Sequence, residues 1–96
     1  MTHDELVSAL RGVEGLEDVG QGSPNFHFRA RPFLHFHMDE EGIYADVRLG
    51  NQDFEPVPAS TSQERQELFA RVCDHVDGLE RARKPDRRRP RQNRRR

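Results

Sequence analysis

Apolar and polar residues recur with two different periods along this 96-residue chain. Leu6, Ala9, Leu10 and Val13 fall at i, i+3, i+4 and i+7, the stripe of a short amphipathic helix. Thr2-His3-Asp4-Glu5 has the spacing of a capping box and starts that helix, which Gly12 or Gly15 ends. After the turn cluster Gly20-Gln21-Gly22-Ser23-Pro24 the period drops to two. Alternation through Asn25–Arg29, Phe33–Met38 and Ile43–Leu49 predicts three strands, with Leu16–Val19 at most a weak edge strand. Asn51–Ser60, interrupted by Pro56 and Pro58, reads as a loop. A second capping box, Thr61-Ser62-Gln63-Glu64, then opens a long helix. Its apolar stripe is Leu68, Phe69, Val72, Cys73, Val76 and Leu79, and Glu64, Arg65, Glu67, Arg71, Asp74 and Asp77 line the other side.

Two one-sided helices around a meander predict a two-layer α+β domain of order α-β-β-β-α. Both helices would cover one face of an antiparallel sheet, leaving the other to water or to a partner. The hairpin loop Asp39-Glu40-Glu41-Gly42 sets a register. Met38 then faces Ile43, Phe36 faces Ala45 and Leu34 faces Val47, all on the apolar side. His37 with Tyr44, His35 with Asp46, and Phe33 with Arg48 fall on the opposite side. A slip of one residue would set apolar groups against polar ones, so the pattern favours this pairing. If Ala30-Arg31-Pro32 is the loop of the first hairpin, Phe26 and Phe28 join the apolar face. His27 then stands beside His35, giving rows His27–His35–Asp46 and Asn25–His37–Tyr44.

Neighbouring strands lie roughly 4.8 Å apart, so such rows can converge on one ligand. The candidate ligand-binding face is therefore His27, His35, His37, Tyr44, Asp46 and Arg48, with Phe33 as a stacking platform. Two imidazoles and a carboxylate are a set that suits zinc or Fe(II). Aromatic rings beside an arginine equally suit a flat organic ligand. Against both stands the ordinary wet side of a sheet, with His35–Asp46 a simple cross-strand ion pair, or a surface through which the chain forms a homodimer. No catalytic set stands out, and no motif indicates a resident cofactor: there is no P-loop, no dinucleotide glycine fingerprint and no Cys–Cys pair. Cys73 lies on an apolar stripe and reads as a packed thiol, while Ser60, Thr61 and Ser62 read as caps. His75 reads as half-buried on its helix, and His3 belongs to the first helical turn.

Charge divides the chain. Arg81–Arg96 holds ten Lys/Arg and one acid, a formal +9, whereas the first 80 residues hold six Lys/Arg against 16 acids, a formal −10. That split predicts an acidic folded domain over 1–80 and a disordered Arg-rich tail over 81–96. The tail arginines Arg87, Arg88, Arg89, Arg91, Arg94, Arg95 and Arg96 are candidates for contact with nucleic acid or another polyanion without sequence preference. Two other readings remain open: the tail folds back on the acidic domain or binds an acidic partner, or it only solubilises. A single cysteine rules out an internal disulfide. The N-terminal residues lack a signal-peptide pattern, and no apolar run approaches a membrane span of roughly 18 residues, so a cytoplasmic protein with no membrane partner is expected.

Phe33-Leu34-His35-Phe36-His37, followed by Gly42 and Ala45-Asp46-Val47, resembles small bacterial proteins labelled "luciferase domain". They carry a His-x-His strand and then an Ala-Asp strand, with a Gly-Val near the end of a first helix, as Gly12-Val13 here. The label reflects a sequence similarity and does not imply light emission. Through a helix, Gly22-Ser23-Pro24-Asn25-Phe26 and a meander, the chain is also similar to MmcQ/YjbR-type α+β proteins, often described as DNA-binding. Both resemblances imply the fold and neither supplies a catalytic set. They cover about residues 5 to 76; the later strands of those families have no counterpart here, and the Arg-rich tail is extra.

Overall fold

The computed structural model describes residues 1–20, 24–50 and 53–83. Its order is α1 (His3–Arg11), β1 (Leu16–Asp18), β2 (Asn25–Phe28), β3 (Arg31–Asp39), β4 (Gly42–Val47), β5 (Glu55–Pro58) and α2 (Ser62–Arg83). The strands form one antiparallel sheet in the order β1-β2-β3-β4-β5, so the α+β class holds with two strands more than the three alternating segments predict. Both capping boxes form. Thr2 Oγ1 accepts from Glu5 N and Glu5 Oε1 from Thr2 N; Thr61 Oγ1 accepts from Glu64 N and Glu64 Oε1 from Thr61 N. The helices lie on one face, where Leu6, Val7 and Leu10 of α1 and Leu68, Val72 and Val76 of α2 are buried with Phe26, Leu34, Ala45 and Val47.

The segment expected to be a loop contains β5, and its two prolines explain the disguise. Pro56 and Pro58 are alternate residues, so their missing N–H groups fall on the strand's outer edge. Val57 pairs with Ala45 and Glu55 with Val47, so the ladder to β4 is kept. An edge strand with prolines on its outer rim is also protected from pairing with another chain. β1 closes the opposite edge, and Asp18 ties its end by accepting from the backbone N–H of Gly20 and Asn25.

The β3–β4 register is as the loop predicts, Leu34–Val47, His35–Asp46, Phe36–Ala45, His37–Tyr44 and Met38–Ile43, extended by Asp39–Gly42. Met38 keeps its place opposite Ile43 but stands at the hairpin tip, where it is exposed. The β2–β3 pairing differs from expectation. Its turn is Arg29-Ala30, two residues with φ of 52° and 70°, in place of a loop over Ala30–Pro32. Positive φ at both central residues is the two-residue primed-turn geometry that usually calls for Asn-Gly, so the sequence carries no sign of it. Phe26 then pairs with Leu34 and His27 with Pro32, leaving Phe33 as an extra residue on β3. This bulge resets the alternation. Phe33 turns into the core at 4% exposure and stacks on His75 of α2, with ring centroids 5.9 Å apart, instead of standing on the open face.

α2 continues through Arg83, past the boundary expected at Glu80, and the tail arginines from Arg87 to Arg96 lie outside the described residues. Among the described residues no helix is long and apolar enough to cross a membrane.

Candidate functional site

Three of the six candidate residues converge on the open face. His35 and His37 alternate on β3 and so project to the same side, and Asp46 is the direct partner of His35 on β4. Asp46 Oδ2 lies 3.5 Å from His35 Nε2 and 3.0 Å from His37 Nε2. One donor atom from each of the three falls within 4.8 Å of the others. The diagonal neighbour His37, rather than a residue from β2, completes the set.

His27 does not belong to it. The bulge at Phe33 shifts β2 against β3, so His27 sits opposite Pro32 and Asn25 stands beside His35. The expected rows His27–His35–Asp46 and Asn25–His37–Tyr44 are therefore replaced by Asn25–His35–Asp46–Pro56 and His37–Tyr44–Pro58.

Aromatic packing holds the two imidazoles. Tyr44 stacks on His37 at 5.1 Å with an interplanar angle of 19°. Phe54, from the segment leading into β5, meets His35 edge-on at 5.0 Å, and the two histidines meet edge-on at 4.6 Å. Arg48 places its guanidinium 5.0 Å above the Phe54 ring, which puts it beside the cluster without an ion pair to it. Phe54 is the member of this face that alternation could not supply, because it lies in a Pro-broken segment with no helix or strand period of its own.

His37 Nε2 is closed off from solvent and makes no hydrogen bond, although the rest of its side chain is 41% exposed. At 3.0 Å from Asp46 Oδ2 it is near enough for one, so direction fails rather than distance. A ring nitrogen held against a carboxylate without a hydrogen bond is an unsatisfied polar atom. For a tetrahedral ion with bonds of about 2.1 Å, ligand atoms stand about 3.4 Å apart. The two separations to Asp46, 3.5 and 3.0 Å, bracket that spacing, and the donors of the two histidines lie within 4.8 Å of each other.

Cys73, His75, Ser60 and Thr61 are accounted for by packing and capping. Cys73 is partly buried on α2, and its surroundings, with Asp74 adding to them, push the thiol pKa up, away from the reactive thiolate. His75 lies flat against Phe33, and burial lowers its pKa. Ser60 Oγ bridges the Ile43 backbone, accepting from its N–H and donating to its carbonyl, and Thr61 caps α2. Comparison with protein-family models, with curated proteins and with solved structures finds no match, so function has to be argued from this geometry.

Proposed function

We propose that the domain is a metal-binding module that holds one divalent transition ion of the zinc type between His35, His37 and Asp46. The observation that carries the reading is the spacing of the three donors around Asp46 Oδ2, together with the occluded, unbonded Nε2 of His37. Two neutral imidazoles and a carboxylate match the donor preference of zinc, Fe(II) and neighbouring ions. Three protein ligands leave room for water or an outside ligand, and Tyr44 and Phe54 wall that open side with aromatic surface. Stacking on Tyr44 and Phe54 takes the orienting role that hydrogen bonds usually play for metal-bound histidines. The test is titration of the full-length protein with Co(II), whose visible absorption reports low-coordinate nitrogen and oxygen ligation. One ion per chain, lost in His37→Ala and displaced by zinc, supports the site; an unchanged spectrum in His37→Ala removes it.

A second reading belongs to the tail, and the charge split favours it: a formal +9 follows a formal −10 on the same chain. Under this reading Arg87, Arg88, Arg89, Arg91, Arg94, Arg95 and Arg96 contact a nucleic-acid backbone or another polyanion by phosphate pairing and counterion release. The acidic domain repels phosphate, so contact is confined to the tail. Salt titration of binding to an RNA and a DNA duplex, with the full chain and a chain ending at Arg83, decides it. Binding by the full chain alone, with affinity falling steeply as salt rises, supports the tail; equal binding by both chains contradicts it.

A further inference from the structure

A second site lies on the helix side and meets the surroundings of the histidine cluster only at Arg48. A cavity of about 300 Å³ opens where the C-terminal half of α2 crosses the β2–β3 turn. Phe28, Phe33 and Leu79 form its apolar wall, His75 its floor against Phe33, and Arg31 and Arg48 supply its charge. None of His35, His37 and Asp46 lines it. Its volume is at the lower end of small-molecule pockets, roughly 300–1,000 Å³, which suits a molecule of one or two rings and excludes a dinucleotide.

Its charge is anomalous for this domain. The first 80 residues hold only six arginines among 16 acids. Four of the six are occupied: Arg11 pairs with Asp18, Arg29 with Glu80, Arg71 with Glu55, and Arg65 donates to the carbonyls of Met1, Ala59 and Ser60. The remaining two, Arg31 and Arg48, have no acid and no hydrogen-bond acceptor among the described residues, and both line this one cavity, whose described lining residues include no acid. Arg48 Nε is moreover buried without a hydrogen-bond partner among the described residues, which leaves the outer guanidinium nitrogens as the part of the group that an anion could reach. In a domain with such an excess of carboxylates, two arginines with no ionic or hydrogen-bonding partner among the described residues, Arg48 meeting only the Phe54 ring, mark the mouth of an aromatic pocket as an anion site.

We propose that this cavity binds a small aromatic carboxylate, its ring between Phe28, Phe33 and Leu79 and its carboxylate on the guanidinium groups of Arg31 and Arg48. The planar fork of arginine takes a carboxylate through two parallel hydrogen bonds, and the aromatic wall supplies the apolar area that a bare inorganic anion would not use. The site does not rest on the metal reading, since the two share no ligand residue.

The test uses isotope-labelled full-length protein titrated with naphthylacetate and, separately, with its uncharged amide, following backbone amide signals by NMR. The expected result is saturable shifts at Phe33, Arg48, His75 and Leu79, with the carboxylate at least about tenfold tighter than the amide. Arg48→Met and Arg31→Gln should each weaken the carboxylate about tenfold and leave the amide unchanged. Arg31 is exposed, so Arg31→Gln leaves the fold intact and decides the matter alone if Arg48→Met unfolds. Equal affinity for acid and amide overturns the proposal. So do shifts confined to the arginines beyond Arg83, or a carboxylate affinity indifferent to Arg31→Gln.

Discussion

Asp46→Asn separates a metal centre from a pair of surface ion contacts, because the two readings assign the carboxylate different weights. As ion-pair partner, Asp46 is 26% exposed and its histidines 32% and 41%, so each contact is solvent-screened and contributes about 0–1 kcal/mol. Asparagine keeps the shape, and the metal-free variant should unfold within about 2 kcal/mol of the parent. As ligand, Asp46 is the only anion of the three, and its loss should weaken zinc at least tenfold. Linkage turns that into a thermal shift. Zinc at 100 times its dissociation constant stabilises the folded chain by about 2.7 kcal/mol, and at the same zinc concentration a tenfold weaker variant gains only about 1.4 kcal/mol. At about 4–8 °C per kcal/mol for a domain of this size, the parent Tm rises by about 10–20 °C and that of Asp46→Asn by about half as much. Differential scanning fluorimetry of both proteins, with zinc and with chelator, reads all four values. A parent Tm indifferent to zinc, or a variant that keeps the full zinc shift, refutes the metal assignment. A variant that loses several kcal/mol without metal would instead mean that Asp46 is structural.

Burial lowers the pKa of His75 below its ordinary value of 6.5, so the fold holds fewer protons there than the unfolded chain. The stability this favours is present above 6.5 and is lost as pH falls through the lower folded value. Urea unfolding between about pH 8 and 5 should show the loss, and His75→Phe, which keeps a ring against Phe33, should flatten it. An equal slope in the variant would place the titration elsewhere. Glu5 and Asp18 also have lowered values, but theirs begin from 4.5 and 3.8, so their contributions disappear at more acidic pH and leave the histidine window clear. At Gly42 φ is +136°, and an added Cβ would stand 2.2 Å from Ser60 Oγ, the hydroxyl that bridges the Ile43 backbone. Gly42→Ala should therefore cost about 2 kcal/mol or more, read as a lower urea midpoint. Parental stability would show that the β3–β4 turn relaxes freely.

What alternation could reveal depended on whether each strand kept its period. β3 and β4 do so from Leu34 to Met38 and from Ile43 to Val47, and their pairing is legible to the residue because a slip would expose Leu34, Phe36 and Val47. β5 was hidden because proline counts against a strand in a one-dimensional reading, while in space an edge strand tolerates it on its outer rim. The Arg29-Ala30 turn was hidden for a related reason. Positive φ at two non-glycine residues opposes local preference, and it is held by the pairing of β2 with β3 and by the Arg29–Glu80 contact to α2.

The bulge at Phe33 decides how much of the site could be read in advance. With strict alternation Phe33 would occupy the open face and His27 would complete a row with His35. One extra residue sends Phe33 into the core and moves Asn25 into the place foreseen for His27. His35, His37 and Asp46 escape this error because all three lie on the β4 side of the bulge, where the register is fixed by the hairpin at Asp39–Gly42. The same displacement brings Phe33 against His75 and beside Phe28, and so builds the wall of the arginine-flanked cavity. One irregularity in β3 thus has two consequences. It leaves the metal-capable cluster to β3 and β4 alone, and it forms on the helix side a pocket that an ideal strand would lack.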